Sequence, residues 1–114
     1  MTITETSDGS ITIVALCGTI DSSTAPELHK SPAIADTLRS VVIDLEKVDF
    51  LDSSGLGALV GTLRLKQEAK AAVLLSCMNP RVRKVFDITG TVKLFHIFDD
   101  TSAAVEYAAT HNEG

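Results

Sequence analysis

Apolar and polar positions near the start of the chain predict a buried strand. Residues 11–16 begin by alternating between apolar and polar side chains and end as a continuous apolar run. This pattern is typical of a strand that is covered on both faces. Asp8 and Gly9 precede the run as a turn signal. We expect the chain to leave the sheet over residues 18–21.

Signals for a first helix follow at Thr24. It has capping-box spacing to a glutamate three residues later, and Pro26 lies in the first helical turn. The helix is therefore predicted to start near Thr24. Pro32 does not fit inside a helix, because its ring clashes with the preceding turn. We expect a break near Ser31 and a second helical segment over residues 32–38.

The middle of the chain reads as a strand, a loop and a helix. Residues 41–45 are short, apolar and rich in β-branched side chains, and a strong helix-start signal follows at residues 52–55. The next apolar residues recur with helical spacing and predict one buried face: Leu56, Leu59, Val60 and Leu63. Polar residues are expected to form a solvated end of this helix: Arg64, Lys66, Gln67 and Glu68.

The same pattern then repeats. Residues 72–75 are apolar and predict a strand, after which Asn79 is placed as an N-cap and Pro80 as the first helical residue. Three apolar residues predict the buried face of this helix: Val82, Val85 and Phe86. A strand is expected at residues 94–98, and a last helix at residues 102–109, after two aspartates that favour a helix start.

Strands that alternate with helices at this spacing predict an α/β fold. The sheet is expected to be mixed but mostly parallel, with four to five strands and about four helices. The chain has 114 residues, which suits one ordinary domain. Residues 1–114 are therefore predicted to form a single domain.

Composition and charge narrow the possible partners. Hydrophobic residues make up 45% and charged residues 22% of the chain, which is typical of a soluble globular protein. The formal net charge of −5 repels nucleic acid and anionic membranes, and only the short stretch 81–84 is basic. The N-terminus has neither a signal sequence nor an apolar span. We expect a cytoplasmic protein with no direct nucleic-acid or membrane partner.

The cysteines and histidines do not suggest a metal or redox site. Cys17 and Cys77 lack C-x-x-C spacing and lie beside apolar residues, so they are predicted to be buried free thiols. His29, His96 and His111 have no metal-ligand spacing, and His96 is expected to be structural. We assign no catalytic residue, metal or cofactor to this chain.

Candidate chemistry concentrates in residues 49–57, where a strand ends and a helix begins. The first N–H groups of a helix lack intrahelical partners, and its dipole adds about half a positive charge there. A phosphate on a serine at this position would be accommodated without unfolding the domain. Aspartate and serine before an apolar helix are also ordinary caps, and the adjacent glycines could serve packing alone. The residues themselves leave both interpretations open.

The same segment resembles a known family. Residues 42–45 and the motif at residues 48–57 resemble the signature of STAS-domain anti-sigma-factor antagonists. Residues 18–28 resemble the first loop and helix of that family, and residues 79–90 resemble its third helix. The resemblance covers nearly the whole chain. It departs from the family at Pro32 and at residues 70–72, where the usual glycine before the fourth strand is absent.

The resemblance implies a partner-switching function. Ser54 corresponds to the phosphoacceptor of the family, and the unphosphorylated protein would bind an anti-sigma serine kinase and thereby free a sigma factor. Phosphorylation would end this binding, and a serine phosphatase would reverse it. The residues expected to contact or orient the kinase lie around the acceptor: Asp21, Asp52, Ser53, Gly55, Leu56 and Gly57.

Two other functions remain open at this stage. A STAS adaptor subunit of a transporter or signalling assembly would use the same surface without phosphorylation. A hydrolase would use Ser53 or Ser54 as its nucleophile, but the motif is not a G-x-S-x-G elbow and no histidine lies near it in sequence. A serine nucleophile needs a nearby base such as histidine, so the hydrolase is the weaker alternative.

Overall fold

A computed structural model describes residues 1–111, without the side chain of His111. The predicted domain extends to residue 114, and its last three residues lie outside the described part. The strands are β1 (Thr2–Asp8), β2 (Ile11–Ile20), β3 (Val41–Leu51), β4 (Val73–Ser76) and β5 (His96–Phe98). The helices are α1 (Ala25–Lys30), α2 (Pro32–Ala35), α3 (Ser53–Glu68), α4 (Pro80–Thr89) and α5 (Thr101–His111), with a 3₁₀ turn at Thr91–Leu94.

The five strands form one sheet in the order in which they occur along the chain. β1 and β2 form an antiparallel hairpin, and each later neighbour pair is parallel. Parallel neighbours need crossover connections, which the helices provide. The predicted α/β class with a mixed, mostly parallel sheet is confirmed. Pro32 divides the first crossover helix into α1 and α2, so that residues 1–111 contain five α-helices where about four were expected.

Two apolar clusters cover opposite faces of the sheet. The larger one joins the sheet to α1–α4, and in it the Phe86 and Phe95 rings meet edge to face at 5.8 Å. The smaller one joins α5 to the strands through Ile11, Val42 and Leu74. Because α5 covers only part of its face, the side of the sheet near the end of β2 remains open to solvent.

Three strand predictions need correction. β1 was not predicted, because most of its side chains are exposed and it contributes little to the apolar pattern. β2 does not end before Gly18 but continues to Ile20, because Gly18 adopts a φ of 108° and absorbs a register shift while pairing with β3 continues. β3 runs on to Leu51, so no separate loop precedes α3.

Helix boundaries also differ at two places. α1 starts beside Thr24 and breaks at Ser31 as predicted, but the second segment ends at Ala35 rather than at residue 38. Leu94 was assigned to the last strand but closes the 3₁₀ turn, so that β5 has three residues. Asn79 caps α4 as predicted, with its side-chain oxygen accepting the Val82 N–H at 2.8 Å.

The environments of three side chains differ from the predictions. Cys17 is a free thiol but is exposed, because it lies on the open part of the sheet face, and Cys77 is half-buried. Lys66, which was placed at a solvated helix end, is fully buried. His96 is exposed and packs against Tyr107, with the two rings 4.9 Å apart.

Lys70 is the first of residues 70–72, the stretch in which the glycine expected from the family resemblance is absent. Its φ is 64°, in the left-handed region that glycine adopts without cost. Its N–H donates to the Gln67 carbonyl and the next N–H to the Lys66 carbonyl, which closes the C-terminus of α3. A lysine in the left-handed conformation thus closes this turn. In residues 1–111 no helix has the length and apolar character needed to cross a membrane.

Candidate functional site

The site is built where β3 passes directly into α3. Asp52 lies between them in an extended conformation, and its N–H donates to the Ile20 carbonyl at 3.3 Å. Its carboxylate accepts the Gly55 N–H at 2.9 Å, and its carbonyl accepts the Leu56 N–H at 2.9 Å. Asp52 is therefore the N-cap of α3 and also joins the helix start to the end of β2.

Ser53 and Ser54 are the first two residues of α3, and both are exposed. Among the hydrogen bonds of residues 1–111, none involves either hydroxyl group. The sequence left open whether one of the serines caps the helix. Since Asp52 performs that role, both hydroxyls are available to solvent.

The electrostatics of this helix end favour a negative charge. The N–H groups of Ser53 and Ser54 have no carbonyl four residues before them in the helix, and α3 has 16 residues whose dipoles are aligned. Asp52 already uses the N–H of Gly55. A phosphate on Ser54 would therefore meet a partial positive charge and backbone donors at the first two helical positions.

The glycines of the motif have different environments. A Cβ atom at Gly55 would lie 2.1 Å from the Ile20 carbonyl oxygen and 2.8 Å from a Leu51 methyl, so Gly55 permits α3 to approach the sheet closely. Nothing lies within 4 Å of the corresponding position at Gly57, which is exposed. Leu56 is 6% exposed and belongs to the core. Direct contact with a partner is thus open to Gly57 but not to the side chain of Leu56.

Asp21 follows the end of β2, at the same edge of the sheet as Asp52. The pairing of Ile20 with Leu51 brings the two strand ends together. The Asp21 carboxylate accepts the Ser23 hydroxyl at 2.6 Å, and it also accepts the backbone N–H groups of Ser23 and Thr24. The hydrogen bond from the Ser23 hydroxyl lowers the pKa of the Asp21 carboxyl, and burial opposes it. Asp21 is therefore a fixed negative charge beside the helix start.

A groove at the same edge was not identified from the sequence. It is lined by Asp49, Asn79, Pro80 and Arg81. The Asn79 side chain donates to the Val48 carbonyl at 2.7 Å and so joins the start of α4 to the end of β3. The cap motif at Asn79 and Pro80 was visible in the sequence, but its contact with a strand 31 residues earlier was not.

One group of side chains has the spacing of a cation site. Asp44, Glu46 and Cys77 each place a ligand atom within 4.8 Å of the others. Asp44 and Glu46 lie two residues apart on β3, and Cys77 follows the end of β4. Exposed carboxylates are common on protein surfaces, and this group assigns no function.

Comparisons with known proteins agree on one family. The profile described as STAS domain matches residues 2–104. The anti-sigma-B factor antagonist of Staphylococcus aureus (strain NCTC 8325 / PS 47) is 37% identical over 91 residues, which are 77% of this chain and 83% of that protein. A crystal structure of an anti-sigma factor antagonist from Mycobacterium paratuberculosis has a TM-score of 0.81 and 28% identity, covering 92% of this chain and 91% of the other.

A more distant structure has the same fold. The Bacillus cell fate determinant SpoIIAA in its phosphorylated form has a TM-score of 0.71 and 18% identity, covering 94% of this chain and 99% of that one. At this identity the similarity concerns the fold alone.

Proposed function

Because the chain belongs to the STAS-domain anti-sigma-factor antagonist family, we propose that it is itself such an antagonist in the cytoplasm. While unphosphorylated, it binds an anti-sigma serine kinase, and the sigma factor held by that kinase is released. The kinase phosphorylates Ser54, the complex then dissociates, and a serine phosphatase restores the binding form.

The observation that carries this proposal is the free hydroxyl of Ser54. It is exposed at the second residue of α3, and the capping role beside it belongs to Asp52. Transfer of a phosphoryl group to this oxygen breaks no hydrogen bond within residues 1–111. The product is a dianion of roughly −1.5 to −2 charges at a helix end that favours negative charge. The fold is therefore expected to survive modification.

The same charge opposes binding of the kinase. A phosphate enclosed in a close interface loses its hydration, and the phosphates of the kinase's nucleotide repel it. Asp21 and Asp52 place two carboxylates at this edge of the sheet, and the phosphate adds its charge to theirs on the surface that the kinase would contact. Phosphorylation thus changes the surface and leaves the core as it was.

The proposed contact surface consists of the exposed and half-exposed part of the motif. Ser53, Ser54 and Gly57 are exposed, and Asp21 and Asp52 are half-buried. The remaining two predicted contact residues, Gly55 and Leu56, are buried and would act by holding this surface in place.

Intact-mass spectrometry tests the modification. With a candidate anti-sigma kinase and ATP, the protein is expected to gain one phosphate. Ser54→Ala is expected to abolish this gain, whereas Ser53→Ala, the matched control one residue away, retains it. A phosphate that persists in Ser54→Ala would contradict the assignment of the acceptor. Tight binding to the kinase without any phosphate transfer would favour the phosphorylation-independent adaptor instead.

A further inference from the structure

Lys66 is a buried cation for which the proposed function has no role. Its side chain is 0% exposed and lies on the core face of α3. The ammonium nitrogen donates to the carbonyl oxygens of Ala33, Asp36 and Arg39, each at 2.7 Å. A lysine ammonium has three N–H donors, so all three are used on one short segment of backbone.

A carboxylate holds the same segment from the other side. Glu5 of β1 accepts the N–H of Ala33 at 3.1 Å and also accepts the hydroxyl of Ser31. Ala33 therefore binds a carboxylate through its N–H and an ammonium through its carbonyl. The hydrogen bond from Ser31 lowers the pKa of the Glu5 carboxyl, and the positive charges of Arg39 and Lys66 act in the same direction.

The segment between β2 and β3 needs such anchors. α1 has six residues and α2 has four, and Pro32 interrupts them. Helices of this length are not stable by themselves in water. Only Leu28, Ala33 and Ile34 within these two helices are buried. Apolar packing of three side chains leaves the position of the segment dependent on its polar contacts.

The two ends of the segment lie at opposite edges of the sheet. At the edge that holds Ser54, the Thr24 hydroxyl donates to the Thr19 carbonyl and accepts the N–H of Asp21, both at 2.9 Å. Farther along the segment, Glu5 holds the start of α2 through Ser31 and Ala33. Toward the opposite edge, Lys66 holds Ala33 and the residues that follow α2. A shift at the second anchor would thus be transmitted along α1 toward the surface beside Ser54.

We infer that Glu5 and Lys66 form a charge clamp on Ala33 that positions the α1–α2 segment against α3. Both are positioning residues, since neither lies at the surface beside Ser54. The clamp itself does not depend on the proposed function. Its effect on the kinase does rest on that function, because α1 begins at the edge of the sheet where the kinase would bind.

Amide hydrogen exchange tests the clamp. The N–H groups of Ile34, Ala35 and Asp36 report on α2, since they donate to the Ser31 and Pro32 carbonyls. Glu5→Gln and Lys66→Met are expected to lower their protection about tenfold relative to an amide of α4. Glu5→Gln turns two charge-assisted hydrogen bonds into neutral ones, and Lys66→Met removes three hydrogen bonds. The matched controls Glu46→Gln and Lys84→Met, both at exposed residues, are expected to change nothing.

The outcomes separate the clamp from general instability. If Lys66→Met also loses protection in α4, that variant is destabilised as a whole and does not test the clamp. The isosteric Glu5→Gln then provides the test, because it removes a charge without leaving a cavity. Unchanged protection of α2 in Glu5→Gln would then overturn the inference. The double variant Glu5→Gln, Lys66→Met gives a second test. If its fold-loss of α2 protection equals the product of the losses in the two single variants, the residues act separately and the inference is overturned.

Kinase kinetics test the positioning role. Glu5→Gln is expected to raise the KM for this protein as the kinase's substrate about threefold to thirtyfold, with kcat unchanged, because Ser54 itself is untouched. An unchanged KM despite a loosened α2 would overturn the positioning role alone. Failure of the proposed function would look different, since the unsubstituted protein would then accept no phosphate.

Discussion

At the start of α3, one aspartate determines what the neighbouring serines can do. Asp52 accepts the Gly55 N–H, which a serine at the cap position would otherwise accept. The Ser54 hydroxyl is therefore exposed, and it takes part in no hydrogen bond in the described part of the chain. The residue type at position 54 alone would not indicate this, because serine serves equally well as a cap.

Lys66 gives a prediction about pH. Burial lowers the pKa of its ammonium group from an ordinary 10.5 to about 8, while Asp36 and Glu5 oppose this and Arg39 adds to it. Between these two values the unfolded chain binds more protons than the folded one, so the stability contributed by this residue rises with pH. Relative to Lys66→Met, the unsubstituted protein should gain about 1 kcal/mol in unfolding free energy from neutral pH to about pH 9.

Urea unfolding at the two pH values measures this difference. Lys84→Met is the control, since Lys84 is exposed on α4. The contradicting result is a difference in unfolding free energy between the unsubstituted protein and Lys66→Met that stays constant with pH. It would mean that the Lys66 ammonium has the same pKa in the folded and the unfolded chain.

At the scale of elements, the contact between α3 and the end of β2 fixes the site. Gly55 lies against the Ile20 carbonyl, and the Asp52 N–H donates to the same carbonyl. The helix start and the strand end are thus joined by a hydrogen bond and by a contact that excludes any side chain. This contact sets the direction in which the first turn of α3 faces solvent.

A pair of glycine substitutions tests this contact. Gly55→Ala would place a Cβ 2.1 Å from a backbone oxygen, and we expect it to lower the unfolding free energy by about 1–3 kcal/mol or more. Gly57→Ala, two residues later in the same helix, meets open space. It should be neutral or stabilise by up to about 1 kcal/mol, because alanine favours helix over glycine. Thermal unfolding of both variants checks the contrast, and equal effects would contradict it.

At the scale of the whole molecule, the sequence predicted features that depend on local periodicity. The apolar pattern of α3 and the cap at Asn79 were identified because their signals lie within a few residues of each other. Contacts between distant residues were not identified. Lys66 looked like a surface lysine because its partners lie 27 to 33 residues earlier, in α2 and in the residues that follow it.

The candidate site was also predictable only as far as its signals are local in the sequence. The motif around Ser54 is contiguous, so its residues could be named from the sequence. Which of them face solvent depends on how α3 meets β2, and that required the fold. Gly55 and Leu56 therefore turned out to be buried beside an exposed Ser54.

The affinity of the kinase for the two forms of this protein tests the account most directly. Isothermal titration calorimetry would compare the unphosphorylated protein with protein phosphorylated on Ser54, with circular dichroism to check that both are folded. We expect the Kd to rise about thirtyfold or more on phosphorylation, because an unpaired charge in an interface costs about 2 kcal/mol or more. Equal Kd values for two folded forms would contradict the proposed switch.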